Sequence, residues 1–188
     1  MKTRFGKFLA AALLVSAGVM GAATRESAAV PGSDADLATR VRHEIVMYPY
    51  YSIWDDISFR VNNGQVELMG SVNQPYKKAD IQRLVQRTPG VTAVTNDLKV
   101  LPLSTFDDRL RLQVARAIYR DPVLSRYALQ AVGPIHIIVD NGHVTLTGAV
   151  MNEMDKQVAG MRAQGAGLSF GTVQNDLTVD NPPAKKKS

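Results

Sequence analysis

Asn63-Gly64-Gln65-Val66-Glu67-Leu68-Met69-Gly70-Ser71-Val72 is written a second time in this chain, as Asn141-Gly142-His143-Val144-Thr145-Leu146-Thr147-Gly148-Ala149-Val150. Asn-Gly is a two-residue turn that accepts positive φ. Apolar residues follow it at every second position, the period of a strand with one buried face. Folding back from the second turn pairs Asp140 with His143, Val139 with Val144, Ile137 with Leu146, His136 with Thr147 and Ile135 with Gly148. One face then carries Ile135, Ile137, Val139, Val144 and Leu146, and the other His136, Ile138, Asp140, His143, Thr145 and Thr147. The first hairpin divides alike: Ile57, Phe59, Val61, Val66 and Leu68 against Ser58, Arg60, Asn62, Gln65, Glu67 and Met69.

The repeat extends outward from the hairpins. Leu37, Val41, Ile45, Pro49 and Ser52 return 73 residues later as Leu110, Val114, Ile118, Pro122 and Ser125. Val94, Asn96, Asp97, Leu98 and Val100 return 79 later as Val173, Asn175, Asp176, Leu177 and Val179. Helical spacing of Leu37, Val41, Ile45 and Tyr48, and of Leu110, Val114 and Ile118, predicts a helix before each hairpin, stopped by Pro49 and Pro122. A second helix follows Pro75 and stops at Pro89-Gly90; its counterpart carries Met154, Val158 and Met161. The last strands fall at 91–100 and 172–179. A sheet apolar on one face needs its helices on that face. The expectation is an α+β fold of two tandem two-layer α/β sandwiches, each α-β-β-α-β with a three-stranded mixed sheet. The units run 34–101 and 105–180, joined by the short link Leu101-Pro102-Leu103-Ser104. The opposite sheet faces are left for water or a partner. Gly64 and Gly142 serve the turns, Gly70 and Gly148 mark a bulge or close approach, and Asn96 and Asn175 read as buried hydrogen-bonders of the fold.

The 188 residues carry a formal charge of +5 and no cysteine, which excludes disulfides, thiol catalysis and a cysteine-linked lipid anchor. The positive charge sits at the ends. Lys2, Arg4 and Lys7 precede an uncharged run from Phe8 to Ala23, the pattern of an export signal over 1–23. Small residues allow cleavage before Thr24 or before Val30. Lys185, Lys186 and Lys187 lie in a tail, 181–188, expected to be disordered. The body between is nearly neutral, so the charge does not argue for nucleic acid.

A helix, Asn-Gly-x-Val-x-Leu-x-Gly-x-Val, a helix, then Gly-Val-x-x-Val-x-Asn-x-Leu-x-Val resembles the BON domain. The first unit shows the last element as Gly90-Val91-Thr92-Ala93-Val94-Thr95-Asn96-Asp97-Leu98-Lys99-Val100; the second keeps Val173 to Val179 but loses the Gly-Val start within Gly165 to Gly171. The resemblance implies a non-enzymatic protein of the bacterial periplasm or outer membrane. It implies binding to phospholipid surfaces, a role in osmotic or envelope stress, and no cofactor.

The residues show no chemistry of their own. The chain has no Gly-rich phosphate loop, no Gly-x-Ser-x-Gly and no His-Glu-x-x-His. His136 and His143 share a sheet face, but the ladder sets them about 13 Å apart, too far for one metal ion at about 2.1 Å from each nitrogen. His43 lies off the apolar stripe. Two features suit a surface or partner. Arg109, Arg116 and Arg120 line one stripe of the second unit's first helix with Leu112 and Tyr119 beside it, and Arg111 and Arg126 add charge nearby. Cations next to apolar and aromatic groups fit an anionic bilayer interface, and they equally fit a solvated arginine face with Leu112 and Tyr119 packed against the first unit. Tyr48-Pro49-Tyr50-Tyr51-Ser52-Ile53-Trp54 concentrates aromatics between helix and hairpin. Tyr50, Tyr51 and Trp54 there fit a bilayer or envelope-protein interface, or Tyr51 and Trp54 form a core lid that closes the end of the sandwich.

Overall fold

The computed structural model describes residues 33–166 and 172–180. The export signal and the lysine tail read from the sequence lie outside these residues.

The first unit opens with α1 (Asp34–Val46). Ser33 caps it: its hydroxyl accepts from the Asp36 N–H while the Asp36 carboxylate accepts from the Ser33 N–H. Leu37, Val41 and Ile45 are buried on one face, and the helix ends at Val46, two residues before Tyr48. β1 (Asp56–Asn62) and β2 (Gln65–Val72) form the antiparallel hairpin in the expected register. Asn63 and Gly64 stand at φ 49° and 77° in the turn. After α2 (Pro75–Gln86), β3 (Ala93–Asn96) and β4 (Lys99–Val100) both run parallel to β2.

The sheet is therefore mixed and three strands wide, but its last position is filled by two short strands in succession. Asn96 causes the break. Its side-chain amide donates to the Lys78 carbonyl of α2 at 2.9 Å, and its oxygen accepts from the Leu98 N–H at 3.2 Å. The chain jogs there to serve the helix instead of the ladder.

The second unit repeats this order as α3 (Thr105–Tyr119), β5 (Ile135–Asp140), β6 (His143–Val150), α4 (Glu153–Gln164), β7 (Val173–Asn175) and β8 (Thr178–Val179). Asn175 makes the same bonds, to Lys156 at 2.7 Å and Leu177 at 3.4 Å. The extra residues before its hairpin form a 3₁₀ turn over Ser125–Leu129.

Each hairpin turn is tied to the first helix of its unit by one aspartate. The Asp34 carboxylate accepts from the N–H groups of Asn63 (2.8 Å) and Gly64 (3.2 Å); Asp107 does the same for Asn141 (3.1 Å) and Gly142 (2.9 Å). A carboxylate in a helix's first turn also complements the helix dipole. The cores lie between helices and sheet: Leu37, Val41, Ile45, Leu68 and Ile81 among others in one, Leu110, Val114, Ile118, Ile137 and Leu146 in the other. Each such side chain contributes about 1.5–3 kcal/mol on burial.

Each unit ties the segment before its hairpin to its second helix by an ion pair, with opposite polarity; the first pair is buried, and in the second only the acid is. Lys77, in the first turn of α2, reaches Asp55 in that loop at 2.6 Å; their side chains are 4% and 0% exposed. Asp55 also accepts from the Ser52 N–H and hydroxyl and from the Asn73 N–H. In the second unit the helix supplies the acid instead. Asp155, 78 residues after Lys77, accepts from Arg126 and from the Tyr127 hydroxyl.

The open face of the second sheet is not left to water throughout. Ile138, on its outward parity, is only 8% exposed. The first unit covers it. Lys99 of β4 bonds Asp140, Tyr51 lies against His136, and Ile53 and Trp54 pack on the second core. The backbone joins too: the Ile137 N–H donates to the Ile53 carbonyl at 2.7 Å.

Candidate functional site

The outer face of α3 is set by its inner one. Ser104 caps the helix by accepting from the Asp107 N–H. Leu110, Val114 and Ile118 then fix the buried stripe. The 3.6-residue period turns Arg109, Leu112, Gln113, Arg116 and Arg120 outward, and all five are exposed. Among the described residues, Arg116 and Arg120 form no ion pair. Arg109 folds onto the Thr105 carbonyl of its own helix.

At the end of this stripe α3 meets α4 in a groove of about 380 Å³, lined by Arg116, Arg120, Arg162, Met161 and Gly165. Its floor carries one acid, Asp121. Burial alone would raise that carboxyl, but the Val123 N–H, the Arg162 guanidinium and the Leu124 N–H hold it below the ordinary carboxylate range. Arg162 Nε reaches it at 2.6 Å. Asp121 is thus satisfied from its own side, and Arg116 and Arg120 remain for an anion. Met161 stands exposed at the rim.

The first unit has a groove at the same place, lined by Tyr48, Asp80, Arg83, Leu84 and Arg87. There the Asp80 carboxylate takes both Arg83 and the Tyr48 hydroxyl, so much of its charge is cancelled. The second unit is the more cationic of the two.

Three arginine and tyrosine expectations change. Tyr119 does not stand at the surface stripe: it is half-buried, and its hydroxyl donates to the Ile135 carbonyl at 2.6 Å. Burial pushes it up to about 12. Arg111 is 4% exposed and donates to the Val139 carbonyl at 2.8 Å and to Asp108. Arg126 is held by Asp155. Arg111 leaves the surface because the Val139 carbonyl holds it, whereas Arg126 stays exposed with its charge answered by the buried Asp155 carboxylate. Met154 and Met161, expected as apolar positions of the last helix, stand exposed because Ala159, Gly160 and Ala163 form the buried face of α4, and that rotation brings Met161 and Arg162 to the groove.

Tyr51 and Trp54 are both half-buried, and Trp54 packs on the second unit's core, across the seam from its own unit. The Tyr51 ring lies 5.6 Å from the His136 ring, its hydroxyl 3.5 Å from Nε2, and burial raises the phenol to about 12. Tyr50 alone stays exposed, edge-on to Tyr76 at 5.8 Å. His143 stands opposite Asp140 in the ladder, but its Nδ1 contacts the Thr172 hydroxyl at 3.0 Å.

His136 gives the seam a pH dependence. Burial lowers its pKa, with Asp55 and Asp56 opposing. The unfolded histidine titrates near about 6.5, so below that pH the unfolded chain binds a proton that the folded seam resists. Stability is full above about pH 6.5 and falls as pH drops through and below it. Urea midpoints followed by Trp54 emission should decline from pH 7.5 to pH 5.5 (about neutral to mildly acid), and His136→Gln should flatten the decline.

Among the described residues no group of three or more His, Asp or Glu side chains could hold a metal ion, and no helix is long and apolar enough to cross a membrane. The family model described as "BON domain" matches residues 33–102 and 107–181. No curated protein matches the chain. Solved structures similar to it include CdsD, described as a structural protein of the type III secretion system of Chlamydia trachomatis. That match has 16% identity over 80% of this chain and 94% of the other, with a TM-score of 0.28. The C-terminal domain of CdsD matches at 16% identity over 78% and 98%, also with a TM-score of 0.28. At these scores neither bears on function.

Proposed function

Because the chain belongs to the BON-domain family, a family of non-catalytic binding domains, we propose that it binds anionic phospholipid surfaces peripherally through the outer face of α3. The observation that carries this is the pair Arg116 and Arg120, exposed at the mouth of the groove and without an ion pair among the described residues, with Leu112 and Met161 exposed beside them. Guanidinium groups offer forked donors to a phosphate, and neighbouring apolar side chains enter the acyl boundary. Arg109 extends the stripe. Residues 1–23 act as an export signal in this reading, and the setting is the periplasm, with a role in envelope or osmotic stress.

The test is flotation with vesicles. The chain should float with vesicles containing phosphatidylglycerol, stay behind with neutral ones, and lose binding as salt rises. Each basic residue near an anionic surface contributes about 1 kcal/mol, so Arg116→Glu with Arg120→Glu should lower partitioning by well over tenfold. Equal flotation of the double variant would remove α3 from the reading. A protein-interaction module is the second reading, favoured by the exposed Tyr50–Tyr76 pair with Met47 nearby in sequence and also exposed. It predicts envelope-protein capture that is lost in Tyr50→Ala and indifferent to lipid charge.

A further inference from the structure

The two hairpins differ at their outer edge. In a hairpin closed by a two-residue turn, alternate residues of the first strand bond the second strand and the others point their N–H and C=O groups away. In β5 the outward residues are Ile135, Ile137 and Val139, and each has one of these groups occupied. The Ile135 carbonyl accepts from Tyr119, the Ile137 N–H donates to Ile53, and the Val139 carbonyl accepts from Arg111. The equivalent residues of β1 are Ile57, Phe59 and Val61. At the repeat shift of 73, Arg111 corresponds to Ala38 and Tyr119 to Val46. Neither can reach the strand with a donor, and Val46 is 54% exposed. Among the described residues nothing bonds the outward groups of β1. One repeat has a blocked edge and the other an open one, and an open edge pairs with another strand.

We infer that β1 is a self-pairing edge, joining the β1 strand of a second copy of this chain in antiparallel register about a two-fold axis at Ser58. The charges choose the register. About Ser58, Asp56 falls opposite Arg60 of the other copy, and Arg60 opposite its Asp56, on the open face; Arg60 already meets Glu67 of its own strand pair at 3.1 Å but is 70% exposed, with donors left for a second carboxylate. Ile57 falls opposite Phe59 in both directions, and these are outward residues, so each pair exchanges two hydrogen bonds. A register about Phe59 is disfavoured: Arg42 lies over the Phe59 ring at 5.6 Å and would meet its own copy. The closed assembly has the isologous symmetry that two-fold pairs require.

Sedimentation velocity of the purified full chain tests this. A monomer–dimer equilibrium is expected. Ser58→Lys sets two like charges on the axis, and Asp56→Arg sets like charges opposite each other twice; each should weaken the dimer about tenfold or more. Asp56→Arg with Arg60→Asp should restore it, a rescue that a folding defect would not give. Circular dichroism should be the same throughout. A chain that is monomeric at every concentration overturns the inference. So does a dimer indifferent to these variants, and so does a Phe59 amide that gains exchange protection only when a different protein is added.

Discussion

Gly148→Ala should unfold the second unit at a denaturant concentration where the native chain is intact. Gly148 lies in β6 at φ 104°, where an L side chain is strained, and an added Cβ would sit well inside the carbonyl oxygen of Pro134. The obstacle is backbone of the neighbouring strand segment, whose Pro134 carbonyl already accepts from the Ala149 N–H, so it cannot swing aside as a side chain would. Strain of this backbone conformation costs about 1–3 kcal/mol alone, and the overlap adds to it, so a loss above about 3 kcal/mol is expected. Gly70→Ala should do the same to the first unit, where φ is 105° and the obstacle is the Asp56 carbonyl. Urea unfolding followed by far-ultraviolet circular dichroism would measure both. A midpoint within error of the native one for either variant would show that the strand relaxes around the methyl group.

Asp55→Ala should damage more than its own unit. It leaves Lys77 buried with its charge opposed only by the Ser52 hydroxyl at 3.3 Å. Breaking a buried pair by removing one partner costs about 3–5 kcal/mol. It also frees the loop 52–54, whose Ile53 carbonyl holds the edge of β5. The chain has one tryptophan, Trp54, and it packs on the second core, so its emission reports the seam directly. A red shift at concentrations of urea that leave circular dichroism unchanged is the expected signature. Asp55→Asn with Lys77→Met removes both charges and should recover most of the stability. If it fails to do so, hydrogen bonds to Ser52 and Asn73, rather than charge, hold the loop.

Each unit could be read from the chain alone. Period-two alternation around two Asn-Gly turns, helical spacing of Leu37, Val41 and Ile45, and the internal repeat are local signals, and local geometry converts them directly into elements and a buried face. Asn96 and Asn175 were legible as polar residues on an apolar parity. The basic stripe of α3 was legible in part: Arg109, Leu112, Arg116 and Arg120 are outside, where the helical period puts them. Tyr119 and Arg111 were not, because a long side chain beside a strand edge can turn to a backbone carbonyl, and nothing in the spacing says which edge it will find. Arg162 reaches the groove only because α4 packs beside α3.

The seam between the units could not be read this way. Tyr51, Ile53 and Trp54 are a loop in sequence. They become part of the second unit's edge because the free N–H of Ile137 needs an acceptor and their apolar side chains need cover, and both needs are met across about 80 residues of chain by the docking of one repeat on the other. The same docking covers Ile138 and leaves β1, built from the same pattern as β5, with the open edge. Two copies of one local code thus end in different surroundings, because hydrogen-bond satisfaction at a strand edge depends on what lies beside it in space and not on what precedes it in the chain.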